Sequence, residues 1–301
     1  MDTPPLHHWR ELNEEGLTRN RLNRLLREDE LARVRRGVFT SATPAPESIV
    51  HTRLIHATLP LLSAEAVVSH QSAAVLHELP YAGDTPDRIH VTRLTGSNGR
   101  SQGFLTVHKA PLLPDEITAV DGVPVTTLAR TAVDLARTSS YEWGVIAMDA
   151  ALRLGADREE LGASVFRCGR MWGVRRARAA LDFADGRSES PLESVSRVQF
   201  SRMGIPMPEP QYVIRTPSGQ FVARTDFGWE AERLVGEADG MIKYGELLRP
   251  GQTAIDVVRA EKTREQAIRD QGFWIVRWGS REAWDLPVLT KLIVNALHRA
   301  A

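Results

Sequence analysis

Four carboxylates in the C-terminal part of the chain, Glu193, Asp226, Glu237 and Asp239, are of the type that could hold a divalent metal. The pattern predicts Asp226 at the end of one strand and Glu237 and Asp239 at the end of the next, with Glu193 in the helix that opens the segment. Lys243 follows in a loop, and Glu261 and Lys262 lie on the next helix. Adjacent strand ends bring carboxylates close enough to share a divalent metal, which takes hard oxygen ligands. Such a metal would polarise a phosphodiester and activate water, and a nearby lysine would neutralise the developing charge. Each residue also has a plainer role. Ser190-x-x-Glu193 is a capping box with Pro191 at the first helical position. Asp226, Glu237 and Asp239 suit solvated strand ends, and Glu261 and Lys262 suit the charged face of an amphipathic helix.

A second cluster lies near the N-terminus, where seven arginines (19, 21, 24, 27, 33, 35 and 36) and three acids (28, 29 and 30) fall within eighteen positions. A helix that reads DNA needs polar side chains on one face for base edges, and a neighbouring hairpin needs cations for phosphates. Arg19, Asn20, Asn23 and Arg24 suit the first task, and Arg33, Arg35 and Arg36 the second. The competing reading is an ordinary surface. Only four of the 38 basic residues are lysines, so arginine is common throughout, and Glu11, Glu14 and Glu15 offset part of the charge.

The elements that must position these residues divide the chain into three stretches. Residues 1–45 read as short helices and a basic hairpin. Thr18 precedes a helix whose Leu22, Leu25 and Leu26 share a face, and Gly37 turns two strand-forming runs. That is the pattern of a winged helix-turn-helix, followed by a linker at 41–46. Residues 46–185 read as mixed α/β: helix over 48–79, strands at 89–92 and 105–108, and helices at 128–136, 141–154 and 158–184. Residues 186–301 read as αβββαβα, an α/β sandwich on a mixed sheet. The fold class expected is α/β (mixed).

Composition narrows the rest. Hydrophobic residues at 42% and charged residues at 25% exclude a disordered or fibrous chain. No apolar run approaches the roughly 18–20 residues of a membrane span, and the N-terminus lacks a secretory pattern, so a cytoplasmic protein without membrane contact is expected. A single cysteine, Cys168, excludes a disulfide framework and a cysteine-based zinc site. The nine histidines show no metal-ligand spacing and read as surface or core residues. No phosphate-binding glycine loop is present. The zero formal charge argues neither for nor against nucleic acid.

Two resemblances add to this. The helix-Glu, strand-Asp, strand-Glu order over 188–298, with Val235-Gly236-Glu237-Ala238-Asp239-Gly240 and Lys243-Tyr244, resembles the PD-(D/E)XK nuclease superfamily, in its branch related to very-short-patch-repair endonucleases. The resemblance implies Asp226 and Glu237 as metal ligands, Glu193 as a helper and Asp239 as ligand or base, with Mg2+ or Mn2+ as cofactor. The chain departs from the pattern where the usual lysine two residues after the second acid is Asp239, which leaves Lys243 or Lys262 to replace it. Leu17-Thr18-Arg19 through Arg33-Val34-Arg35-Arg36-Gly37-Val38-Phe39 resembles the winged-helix head of AbiEi-type antitoxins. Val68-Ser69-His70 to Val125-Thr126-Thr127-Leu128-Ala129-Arg130-Thr131 resembles their following α/β region. That likeness implies binding to double-stranded DNA, autorepression of a toxin–antitoxin operon and a separately encoded toxin partner. The alternatives are a metal-dependent endonuclease of defence or repair, and an interaction scaffold whose nuclease fold has lost its chemistry.

Overall fold

The computed structural model describes residues 5–93, 103–239 and 254–300. In chain order its elements begin with β1 (His7–His8), α1 (Trp9–Glu14), α2 (Arg19–Arg27), β2 (Leu31–Arg35), β3 (Val38–Ser41), α3 (Glu47–Thr58), β4 (Val67–Val68) and α4 (His70–Leu76). There follow β5 (Ile89–Arg93), β6 (Leu105–Lys109), β7 (Ile117–Val120), β8 (Val123–Thr126), α5 (Leu128–Thr138), α6 (Tyr141–Arg153), α7 (Arg158–Arg167) and α8 (Val174–Phe183). The last elements are α9 (Pro191–Met203), β9 (Glu209–Arg215), β10 (Phe221–Trp229), β11 (Leu234–Ala238), α10 (Ala254–Asp270), β12 (Trp274–Trp278), α11 (Ser280–Ala283) and α12 (Leu286–Ala300). The class is mixed α/β. No helix among the described residues is long and apolar enough to cross a membrane.

Two compact units emerge, residues 1–139 with 156–178, and residues 140–155 with 179–301. This division differs from the three stretches read from sequence, for two physical reasons. Arg35 on β2 donates to the Ala57 carbonyl at 3.3 Å and lies over the Phe104 ring at 4.4 Å, so the basic hairpin is fastened to the α/β region behind it. Helix α6 joins the C-terminal unit, because Ile146 is buried with Leu192, Val195 and Phe200, and Asp149 pairs with Arg197 at 2.8 Å.

In the first unit, α2 forms where Thr18 accepts a hydrogen bond from the Arg21 N–H at 3.3 Å. Leu22 is buried, while Arg19, Asn20, Asn23, Arg24 and Arg27 are exposed. Strands β2 and β3 turn at Gly37, whose φ of +79° a side-chain-bearing residue adopts only with strain. Strand β1 closes the small antiparallel sheet in the order β1-β3-β2. A five-stranded sheet, β6-β5-β4-β8-β7, follows. Its core of Ile55, Val68, Ile89, Val91 and Val125 excludes water completely or nearly so. The span 48–79, expected to be helical throughout, is broken by β4: Val67 and Val68 pair with β5 and β8 instead of extending a helix. Behind this sheet Arg130 is buried against Glu116 at 3.1 Å and Asp134 at 3.0 Å, and Arg137 shares Asp134 at 2.7 Å.

The second unit has the expected order from α9 onward. Its sheet runs β12-β11-β10-β9, with β11 and β12 parallel and the other pairs antiparallel. One face meets α9 and α12 through Phe200, whose ring stands edge-on to Phe227, Trp229 and Trp278 at 5.2–5.6 Å. Such pairs add about 0.5–1.5 kcal/mol each beyond burial. Gly236 is required here, because a Cβ would meet the Trp278 ring at 2.6 Å. The other face packs Ile214, Ala223 and Val235 beneath Ile268 of α10.

Candidate functional site

Antiparallel pairing of Phe227 with Gly236 fixes the geometry of the acids. Phe227 points into the aromatic core, so Asp226 and Glu237, one step further on, fall together on the α10 face. Asp226 accepts a hydrogen bond from the Ala238 N–H at 2.8 Å. Burial pushes its carboxyl up to about 6; the Ala238 N–H opposes the shift, and the charges of Glu193, Glu237 and Asp239 reinforce it. Asp239, half-exposed, is raised for the same reasons, burial first and then Glu237.

Glu237 is 5% exposed and is held by arginine. Arg277, directly across on β12, donates through Nε at 2.7 Å. Arg264 on α10 approaches the other carboxylate oxygen at 2.5 Å, as an ion pair without hydrogen-bond alignment. Arg277 also binds Glu261 at 2.6 Å and Glu265 at 3.1 Å, and lies 3.6 Å from Asp239. These contacts hold its guanidinium above the ordinary arginine range, against burial that works the other way.

The residues named from sequence therefore meet in part. Asp226, Glu237 and Asp239 share a neighbourhood. Glu193 serves its capping box: its oxygens accept from Ser190 Oγ and the Glu189 N–H at 2.9 Å, and from Gln211 Nε2 at 2.8 Å. Lys262 is exposed, with no ion pair to these acids among the described residues. Lys243 lies outside the described residues. The cations beside the acids are Arg264 and Arg277, which sequence reasoning missed. The available signal was one charged residue inside the apolar run 273–278.

A divalent metal does not fit this arrangement. Both oxygens of Glu237 face guanidiniums and one oxygen of Asp226 is committed to a backbone N–H. Among the described residues no three His, Cys, Asp or Glu side chains are arranged to hold an ion. Arg264 and Arg277 supply the counter-charge that a Mg2+ or Mn2+ ion on Asp226, Glu237 and Asp239 would bring.

A pH prediction follows from Asp226. A carboxyl raised to about 6 in the fold binds its proton more tightly there than in the unfolded chain. Stability therefore falls as pH rises from about 4 to about 6 and stays lower above. Asp226→Asn, which resembles the protonated form, should stabilise by on the order of 1–2 kcal/mol at about pH 7 and by little at about pH 4. Thermal melts at the two pH values check this; equal shifts at both would contradict it.

In the first unit, Arg19, Asn20, Asn23 and Arg24 are exposed on α2, and Asn20, Asn23, Leu26 and Arg27 line one shallow depression. Arg33 and Arg36 are exposed on the hairpin. Arg35 is not available with them, since it is turned toward Ala57 and Phe104. The histidines hold a further surprise. His70 stacks on His108 with ring centres 3.5 Å apart, and His108 Nε2 lies 3.2 Å from His90 Nδ1. Burial pushes all three down, His108 to about 3; His70 is buried, and His90 and His108 are half-buried. Cys168 is buried and its thiol is raised by burial, as befits an inert residue.

Fold and site together define a two-unit mixed α/β protein with an arginine-clamped carboxylate cluster on its C-terminal sheet. The chain is 30% identical over 265 residues to two Mycobacterium tuberculosis proteins, the uncharacterized proteins Rv2248 of strain H37Rv and MT2308 of strain CDC 1551 / Oshkosh. The match covers 86% of this chain and 89% of each relative, and the chain belongs to their family. The crystal structure of the RV2827C protein from Mycobacterium tuberculosis matches 73% of this chain and 86% of its own, with TM-score 0.41 and 16% identity. No family model matches the chain.

Proposed function

We propose that this chain is a cytoplasmic DNA-binding regulator similar to AbiEi-type antitoxins. It would recognise an operator through a winged helix-turn-helix formed by β1–β3, α1 and α2, and partner a separately encoded toxin. The observation that carries the reading is the sheet order β1-β3-β2 around two short helices, with the second helix exposing Asn20, Asn23, Arg19 and Arg24. A winged-helix module sets its second helix in the major groove in this way and its hairpin along the phosphates. Side-chain amides such as those of Asn20 and Asn23 pair with adenine edges, whereas exposed arginines contact guanine or phosphate.

In this reading the C-terminal unit is a PD-(D/E)XK-like domain that contributes nonspecific binding or protein contacts, because Arg264 and Arg277 occupy the acids a metal would need. A metal-dependent endonuclease is the second reading, favoured by the placement of Asp226 and Glu237 on one face of the sheet. An inactive scaffold would keep the same geometry without DNA contact by the head.

Selection of bound duplexes from a random library tests the proposal. Full-length protein should enrich a defined sequence, and Asn20→Ala or Asn23→Ala should relax preference at one base position by about 1–3 kcal/mol while leaving other positions unchanged. Enrichment that survives both substitutions unaltered would remove α2 from recognition.

A further inference from the structure

Within the first unit, the chain leaves a cavity of about 610 Å3 beside β2, the end of β3, the 42–46 segment and α3. That volume falls within the roughly 300–1,000 Å3 range of small-molecule sites. Arg53 of α3 lines it. The residue is 5% exposed, its Nε has no hydrogen-bond partner, and no acid pairs with it among the described residues. A buried guanidinium without an anion is an arrangement proteins otherwise avoid, because removing the charge from water is costly unless a counter-charge replaces the hydration. The other buried cations of this unit follow that rule, Arg130 and Arg137 each meeting carboxylates. Arg53 departs from it only where a cavity stands open.

The remaining lining describes what would fit. Val34, Val50, Leu54 and Pro86 give apolar walls, and the Thr40 hydroxyl is buried beside them. His51, also on the wall, donates or accepts through Nε2 with Ser72 Oγ at 2.8 Å, and burial pushes its ring down to about 4. It is therefore neutral and adds no second cation. Charges at the mouth are mixed, Arg33 against the exposed Glu47, Asp84 and Asp87. We infer that this cavity is a binding site for a small organic carboxylate with an aromatic or branched apolar body, its carboxylate paired to Arg53. Guanidinium and carboxylate match as a two-pronged, charge-assisted pair. The inference does not rest on the proposed function, although Arg33 of the hairpin stands at the mouth.

Fluorine NMR with 4-fluorobenzoate as probe tests this on the full chain, with 4-fluorobenzyl alcohol as the uncharged control. The expected result is saturable broadening of the benzoate signal and binding at least about tenfold weaker for the alcohol. Arg53→Gln should weaken benzoate binding by about tenfold or more with a native thermal melt. Val50→Trp, at a half-exposed wall position, should block binding by filling the cavity, and decides the question if Arg53→Gln fails to fold. No saturable broadening, equal binding of the alcohol, or benzoate binding that survives the substitutions overturns the inference.

Discussion

Removing both guanidiniums from Glu237, by combining Arg264→Ala with Arg277→Ala, is expected to cost about 3 kcal/mol of stability at neutral pH. The mechanism is desolvation. Glu237 is 5% exposed on a central strand, and without arginine its charge would be buried with no compensation. The value sits at the low end for a broken buried pair, because the two guanidiniums are themselves about a third exposed and partly screened. Adding Glu237→Gln to the double variant should restore more than half of the loss, since no buried charge then remains. Denaturant titration of the double and triple variants reads this directly. Magnesium at millimolar concentration should leave the wild-type midpoint unchanged, because arginine already holds the oxygens that a metal would take. A magnesium-dependent rise in the wild-type midpoint would favour the endonuclease reading over the regulator.

Much of this arrangement was legible in the sequence wherever its cause is local. Helix α2 announces itself through Thr18 and the leucines three and four positions apart. The order of α9, three strands, α10 and β12 follows from alternation and turn residues, and the positions of Asp226 and Glu237 at neighbouring strands follow with it. What stayed hidden is non-local. Arg277 meets Glu237 only because β12 lies parallel beside β11, a pairing across 40 positions that no spacing rule reveals. The three clustered histidines come from α4, β5 and β6, brought together by the parallel register of Thr92 with His108. Arg35 turned out to be structural for a smaller reason. The hairpin register shifts between Arg33 and Arg35, so alternation along β2 fails there and Arg35 reaches Ala57 while Arg33 stays in solvent.

That correction sharpens the test of the central claim, that the N-terminal hairpin and α2 hold DNA. Two exposed cations, Arg33 and Arg36, remain to contact phosphates on the hairpin. Each phosphate neutralised releases condensed counterions, so the logarithm of affinity falls with the logarithm of salt by about 0.9 per contact. The decisive measurement is a fluorescence-anisotropy titration of a labelled duplex across salt concentrations, for full-length wild type and for Arg33→Ala combined with Arg36→Ala. The predicted result is wild-type binding that tightens steeply as salt is lowered, and a double variant that binds every duplex more weakly with a slope shallower by about two units. Both substitutions are at exposed positions, so the thermal melt should not move. Absence of wild-type binding at low salt, or a double variant with unchanged affinity and slope, would contradict it.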